Sequence, residues 1–118
     1  MKIQHQTDRL SKVRQQLLRQ EAAIGGQLFG PIPPRGSRYF FRMNGHTWIW
    51  HEEWTDPQTK QRRIVNTRYE LRNNGILKAQ NGQNLRYIDS QEAVNLYQAI
   101  KMYCQRVSSE VYGRPVSI

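Results

Sequence analysis

The stretch from Ser37 to Ile88 constrains the fold more than any other part of the chain, because short β-prone segments alternate there with turn signals. Three Asn-Gly pairs lie between these segments: Asn44-Gly45, Asn74-Gly75 and Asn81-Gly82. Both residue types tolerate the left-handed backbone of tight hairpins, so Asn-Gly between β-rich segments is a strong hairpin signal. The pattern predicts an antiparallel β-meander over residues 37–88.

A two-residue turn at Asn44-Gly45 would pair Phe41 with Trp48 and Tyr39 with Trp50. Since side chains alternate between the two faces of a strand, this register gathers the large aromatic residues on one predicted core face. That face comprises Tyr39, Phe41, Met43, Trp48, Trp50 and Trp54. The opposite face of the same two strands is predicted to meet solvent and comprises Arg38, Phe40, Arg42, Thr47, Ile49, His51 and Glu53.

A third strand is predicted from about Gln61 to Leu71. Its inward residues are Val65, Thr67, Tyr69 and Leu71. Three-residue loops over 73–75 and 80–82 would keep the apolar residues of neighbouring strands on the same core face. A slip of one residue would turn every side chain of a strand to the other face. These loops pair Leu71 with Leu77, pair Leu77 with Leu85, and leave Tyr87 facing inward.

Helices are predicted on both sides of the meander. The first covers residues 8–24, with Asp8 as N-cap and Gly25-Gly26 as a left-handed ending. The second covers residues 90–112, with Asp89 as N-cap in a capping-box-like pattern. Its apolar stripe is Ala93, Leu96, Tyr97, Ile100, Cys104, Val107 and Val111. We therefore expect one α+β domain over residues 1–118, with the C-terminal helix packed across the aromatic face of the sheet.

Residues 27–36 form a predicted Gly/Pro-rich linker. Its Pro31-x-x-Pro34 spacing matches a minimal ligand for proline-binding domains. The alternative is a stiff connector that tucks Phe29 and Ile32 against the core, and we prefer the connector.

The chain is strongly basic. It carries 18 Lys and Arg against 9 Asp and Glu, a formal net charge of +9. Such a charge attracts polyanions or only aids solubility. Cys104 is the sole cysteine, which excludes an internal disulfide. No signal peptide and no apolar run of membrane-spanning length is apparent, so a cytoplasmic location and no membrane partner are the default expectations.

Residues suited to catalysis do not converge in this pattern. His51 and Glu53 share a strand face, but two ligands are too few for a zinc site. Cys104 lies on an apolar helix stripe, and Glu52 and Glu70 are predicted on opposite faces. We expect a non-enzymatic protein without cofactor or metal; a small enzyme with a site around His51 is the remote alternative.

The leading functional prediction is a binding module for an anionic partner, preferably nucleic acid, because sheets that bind single strands combine cations with exposed aromatic rings. The predicted contact residues on the solvent face are Arg38, Phe40, Arg42, Arg62, Arg68, Arg72, Lys78 and Arg86. A second basic surface on the first helix is Arg9, Lys12, Arg14 and Arg19. Alternatively, Glu53 and Glu70 pair with the arginines and leave a merely solvated face.

A protein-interaction or assembly module is the other functional class that the sequence leaves open. The first helix has an apolar stripe at Leu10, Val13, Leu17 and Ile24. This stripe covers the core or mediates a homodimer. An acidic protein surface is a further partner class for a chain as basic as this one. The Pro-rich linker is a further candidate contact.

Overall fold

The computed structural model describes the backbone of residues 2–113 and the side chains of residues 9–113. Helix α1 (Lys2–Gly26) runs into a 3-10 turn (Gln27–Phe29). The five strands are β1 (Ser37–Arg42), β2 (Thr47–Thr55), β3 (Arg62–Arg72), β4 (Gly75–Gln80) and β5 (Arg86–Tyr87), and helix α2 (Ser90–Glu110) follows. The strands form one antiparallel sheet in chain order. The predicted α+β architecture is confirmed.

The core lies between α2 and one face of the sheet. Phe40 is fully buried and stacks on Trp48 with 5.1 Å between ring centroids, and Tyr103 of α2 meets both rings edge-on. Leu96, Ala99 and Val107 of α2 complete the buried cluster. Aromatic side chains bury large areas, so this small group supplies much of the hydrophobic stabilisation of a lean chain.

The predicted N-cap of α2 is confirmed, but its predicted buried stripe is only partly correct. The predicted cap is confirmed, since Asp89 Oδ1 accepts a hydrogen bond of 2.8 Å from the Glu92 amide. Tyr97 was expected on the buried stripe but is 61% exposed. Tyr103, which the predicted stripe omits, is buried in the core.

Helix α1 is longer at both ends than predicted. It begins at Lys2, so Asp8 lies inside the helix and the predicted N-cap is wrong. Gly25 and Gly26 also lie inside the helix and do not form its predicted left-handed ending. Their lack of a side chain instead allows the helix to approach β1 closely. A Cβ on Gly25 would stand 2.0 Å from the Phe40 carbonyl oxygen, and one on Gly26 would stand 1.9 Å from that of Arg38. The two glycines let α1 lie directly against the edge of the sheet.

The β1–β2 register differs by one residue from the predicted one. Phe40 faces Trp50 and Arg42 faces Trp48, because the connection has three residues, 44–46. The Met43 amide donates to the Thr47 carbonyl, and Asn44 Oδ1 accepts from the amides of His46 and Thr47 at 2.9 and 3.0 Å. Asn44 therefore closes the turn with its side chain, as asparagines do in Asx-turns, and not with a left-handed backbone.

The later connections also differ from the expected three-residue loops. β3 and β4 are joined by two residues, 73–74, so Leu71 faces Ile76. Asn81 and Gly82 have φ of 52° and 79°, and the Gln83 amide donates to the Gln80 carbonyl, so the two residues form a left-handed tight turn at the start of the connection 81–85. Leu77 pairs with Tyr87, not with Leu85, and the Tyr87 ring is exposed on the face away from α2.

The connector between α1 and β1 is ordered by packing at its start. Phe29 meets Phe40 and Trp50 edge-on, with centroids 5.1 and 6.1 Å apart, as expected for a connector that tucks against the core. Ile32, expected to tuck in as well, is 39% exposed. The PxxP hypothesis is not tested by these contacts.

Candidate nucleic-acid interface

The basic residues of the sheet lie on both of its faces. The register places Arg62, Arg68 and Arg72 on the face away from α2, here called the open face. The other five residues of the predicted interface lie on the face toward α2: Arg38, Phe40, Arg42, Lys78 and Arg86. The single arginine-rich solvent face expected from the sequence is therefore wrong. The one-residue shift at Asn44 turns Arg38, Phe40 and Arg42 toward α2, and the two-residue β3–β4 connection does the same for Lys78 and, through its pairing, Arg86.

Phe40 and Arg38 are the clearest corrections. Phe40 has no exposed surface and Arg38 is only 8% exposed, so neither side chain is available to a partner. Phe40 is instead the centre of the aromatic core. Arg38 is a structural arginine that joins α1, the connector and β2.

The buried guanidinium of Arg38 has four acceptors. Its Nε donates to Glu52 Oε2 at 2.5 Å, and its terminal nitrogens donate to the carbonyls of Gly26, Gly30 and Pro31 at 3.0–3.3 Å. It also lies 5.9 Å from the centroid of the Trp50 ring. A cation at this place complements the negative end of the α1 dipole, satisfies the Gly26 carbonyl at the end of the helix, and satisfies two carbonyls of the connector.

The cations on the open face are paired with carboxylates. Glu70 accepts from Arg68 at 2.5 Å and from Arg72 at 2.6 Å, while Arg62 lies 3.2 Å from Glu53. The hydrogen bond from Arg72 is the largest cause of the lowered pKa of Glu70. The pKa of Glu53 is lowered chiefly by its hydrogen bond with His51 and then by Arg62. These pairs match the solvated-face interpretation of the sequence.

Lys78 belongs to a small polar cluster between the sheet and α2. Its ammonium donates to Glu92 Oε2 at 2.7 Å, and the Tyr69 hydroxyl donates to the same oxygen at 3.0 Å. Burial raises the pKa of Tyr69, and its bond to Glu92 raises it further, so this phenol keeps its proton. The cluster ties β3 and β4 to the start of α2.

Nine of the sixteen basic side chains that the structure describes make no ion pair with a described carboxylate. The seven paired ones are Arg38, Arg62, Arg63, Arg68, Arg72, Lys78 and Arg106. The nine others are Arg9, Lys12, Arg14, Arg19, Arg35, Arg42, Lys60, Arg86 and Lys101. A cation without an ion-pair partner keeps its full attraction for an external anion, so these nine are the basic side chains most available to one.

Four of the nine lie on α1. Every residue from 9 to 16 is exposed, so this part of the helix is solvated on all sides. It carries Arg9, Lys12 and Arg14, with Arg19 one turn further on, and residues 9–20 contain no acidic residue. The basic surface predicted on the first helix is thus accessible and free of intramolecular partners in the described chain.

Two more of the unpaired cations, Arg35 and Lys60, lie around Trp54 at the β2–β3 turn. Trp54, Pro33, Pro34, Pro57, Thr55, Arg35 and Lys60 line a cavity of about 410 Å³. We call this the Trp54 cavity. Its volume lies within the range of small-ligand sites, and it joins an aromatic wall to two cations without carboxylate partners. The sequence prediction placed Trp54 in the core and missed Arg35 and Lys60.

The backbone around the Trp54 cavity is unusual. Arg35 and Lys60 both have left-handed backbone, with φ of 56° and 62°, a conformation that costs a residue with a Cβ about 1–2 kcal/mol. The Arg35 carbonyl accepts from Arg62 at 2.8 Å, and Asp56 Oδ1 accepts from the amides of Gln58 and Thr59. These bonds fix the two turns that bring both cations to one indole.

Groups suited to catalysis stay apart, as far as the described residues extend. His51 contacts Asn66 through Nδ1 and lies 3.4 Å from Glu53 through Nε2, and no third metal-ligating side chain joins them in the described chain. Burial raises the pKa of the Cys104 thiol, which disfavours the thiolate. Glu52 and Glu70 lie on opposite faces, as predicted. These findings leave the remote enzymatic hypothesis without support but do not test it.

Comparison with known proteins identifies no relative: no family model, curated protein or solved structure matches this chain. Among the described residues, neither helix is long and apolar enough to span a bilayer. The cations and the cavity of this chain are therefore the features that point to a partner among the described residues.

Proposed function

We propose that the protein is a small non-enzymatic module that binds single-stranded nucleic acid through its unpaired cations. The observation that carries the proposal is the distribution of those nine side chains. Four follow α1, and Arg35 and Lys60 flank a tryptophan. A positive track with an aromatic platform is the combination that sequence-tolerant single-strand binders use.

The paired cations of the sheet contribute less in this proposal. Arg62, Arg68 and Arg72 share their charge with Glu53 and Glu70, so a phosphate must compete with an existing partner. Lys78 would have to leave Glu92. Arg42 and Arg86 are exposed and unpaired, so they extend the positive surface on the side of the sheet that faces α2.

The test is a salt titration of binding to a fluorescent single-stranded oligonucleotide, followed by anisotropy. For single strands, the logarithm of the binding constant falls with the logarithm of salt concentration by about 0.7 for each phosphate neutralised. If six of the unpaired cations engage, the slope is about −4. Absence of a complex at low salt would contradict the proposal.

A second candidate function is docking of an acidic protein on α1. Leu10, Val13 and Leu18 are 68%, 51% and 43% exposed, and the cations around them would attract an acidic amphipathic helix. The like charges of two α1 helices disfavour a homodimer. Light scattering decides that point: a dimer lost on Leu10→Asp would support self-assembly, and a monomer at all concentrations would exclude it.

A further inference from the structure

We infer that the Trp54 cavity holds one unpaired base of the bound strand, with the adjacent phosphate between Arg35 and Lys60. This inference rests on the proposed function and names a subsite within it. It assigns base stacking to Trp54, which the sequence places in the core.

The shape and chemistry of the cavity favour a nucleotide over other occupants. An indole offers a flat face on which any base can stack, and a volume of about 410 Å³ admits a base with its sugar. Pro33, Pro34 and Pro57 supply rigid apolar walls that lose no side-chain entropy on binding. A base stacked on Trp54 would therefore be held by a pocket that is already formed.

The charges at the rim select an anion. Arg35 and Lys60 line the cavity without ion pairs, and Arg62 and Arg63 stand on the neighbouring strand with Glu53 and Asp56. A guanidinium forms forked hydrogen bonds to phosphate, and a lysine adds a point charge. A proline-rich peptide would fill the apolar walls but would leave both cations unused.

The backbone supports the same assignment. Two residues with a Cβ hold the left-handed conformation at this one cavity, where glycine would fit without strain. Strained backbone concentrates at binding sites, because the functional side chain must be retained there. At positions 35 and 60 the retained side chains are the two cations.

The primary test leaves the protein unchanged and alters the nucleic acid. Wild-type protein is titrated with a single-stranded oligonucleotide and with a strand of the same length and charge that carries abasic sites. We expect about tenfold weaker binding of the abasic strand, because it loses the stacking of one base on Trp54. Equal affinities would overturn the inference while leaving polyanion binding intact.

Protein variants test whether the preference for strands with bases depends on this cavity. Trp54→Leu should lose the preference for bases, Trp54→Phe should keep most of it, and the Arg35→Gln/Lys60→Gln double variant should weaken both strands. Arg68→Gln/Arg72→Gln, which removes the same charge from the pairs with Glu70, is the matched control. If Trp54→Leu discriminates between the strands as wild type does, bases stack elsewhere and the inference fails.

The outcomes separate the subsite from the function. No binding of either strand at low salt would overturn the proposed function and the subsite together. Binding of a decaproline peptide that depends on Trp54, without a preference for bases, would assign the cavity to peptide recognition. If the Trp54→Leu variant does not fold, the comparison of normal and abasic strands is decided with wild-type protein and the Trp54→Phe variant.

Discussion

Replacing Arg38 with methionine should cost more stability than any change to an exposed arginine. The substitution keeps much of the side-chain volume but leaves the carboxylate of Glu52, whose side chain is 12% exposed, without its cation. Breaking a buried ion pair in this way costs about 3–5 kcal/mol. The carbonyls of Gly26, Gly30 and Pro31 also lose their donor, although water reaches part of that site.

Urea unfolding followed by circular dichroism measures this loss. With a slope of about 1.5 kcal/mol per molar urea, a 4 kcal/mol loss moves the midpoint by roughly 2.5 M. The double variant Arg38→Met/Glu52→Leu removes both charges, so it should recover part of the loss but not all, since the carbonyls of Gly26, Gly30 and Pro31 still lack this donor. Arg38→Lys is the control that keeps the charge without the fork.

Two results would contradict a stabilising role for the buried Arg38 guanidinium. Arg38→Met within about 1 kcal/mol of wild type would show that the pair contributes no more than a surface one does. Full stability of Arg38→Lys would show that charge alone matters and that the three carbonyl contacts do not.

Three further predictions concern the fold and its pH dependence. Gly25→Ala should destabilise the protein by about 3 kcal/mol through its clash with the Phe40 carbonyl, whereas Gly45→Ala, with no atom within 4 Å of the added methyl, should be nearly neutral in urea midpoint. The pKa of Glu70 is lowered in the folded state, so its contribution is complete above its ordinary pKa of 4.5 and is lost as pH falls through the lowered value; Glu70→Gln should therefore flatten the acid limb of the stability curve. Lys60→Gly should relieve the left-handed strain and raise stability by about 0.5–1 kcal/mol while it weakens nucleic-acid binding, and a loss of stability would contradict the strain argument.

The order of helices and strands was predictable because it depends on patterns that are local in sequence. Asp89 caps α2 with the geometry that its neighbours imply. The alternation of Thr67, Tyr69 and Leu71 correctly gave the core face of β3. Such signals do not depend on how one strand is aligned with the next.

Register was not predictable, because one dipeptide can close a turn in two ways. Asn44-Gly45 turns through the asparagine side chain, and Asn81-Gly82 turns through left-handed backbone. The difference of one residue at Asn44 exchanged the faces of β1 and so buried Arg38 and Phe40. No feature of the dipeptide itself distinguishes the two cases.

The candidate site was missed for a related reason. Arg35, Trp54 and Lys60 come from three separated segments, and only the folded connector brings Arg35 to the β2–β3 turn. The turn at 56–60 could have suggested an exposed end for Trp54, but nothing local indicates that two cations meet there. Pairing of the sheet arginines with Glu53 and Glu70, by contrast, was foreseen as the alternative to function.

In the proposed function, the unpaired cations, and not the net charge, bind the nucleic acid. Two double variants remove the same charge from different settings: Arg9→Gln/Arg14→Gln on α1, and Arg68→Gln/Arg72→Gln beside Glu70. The salt dependence of single-strand binding should flatten by about 1.4 for the α1 variant and by less than half of that for the Glu70 variant. Equal changes in the two slopes would contradict the claim.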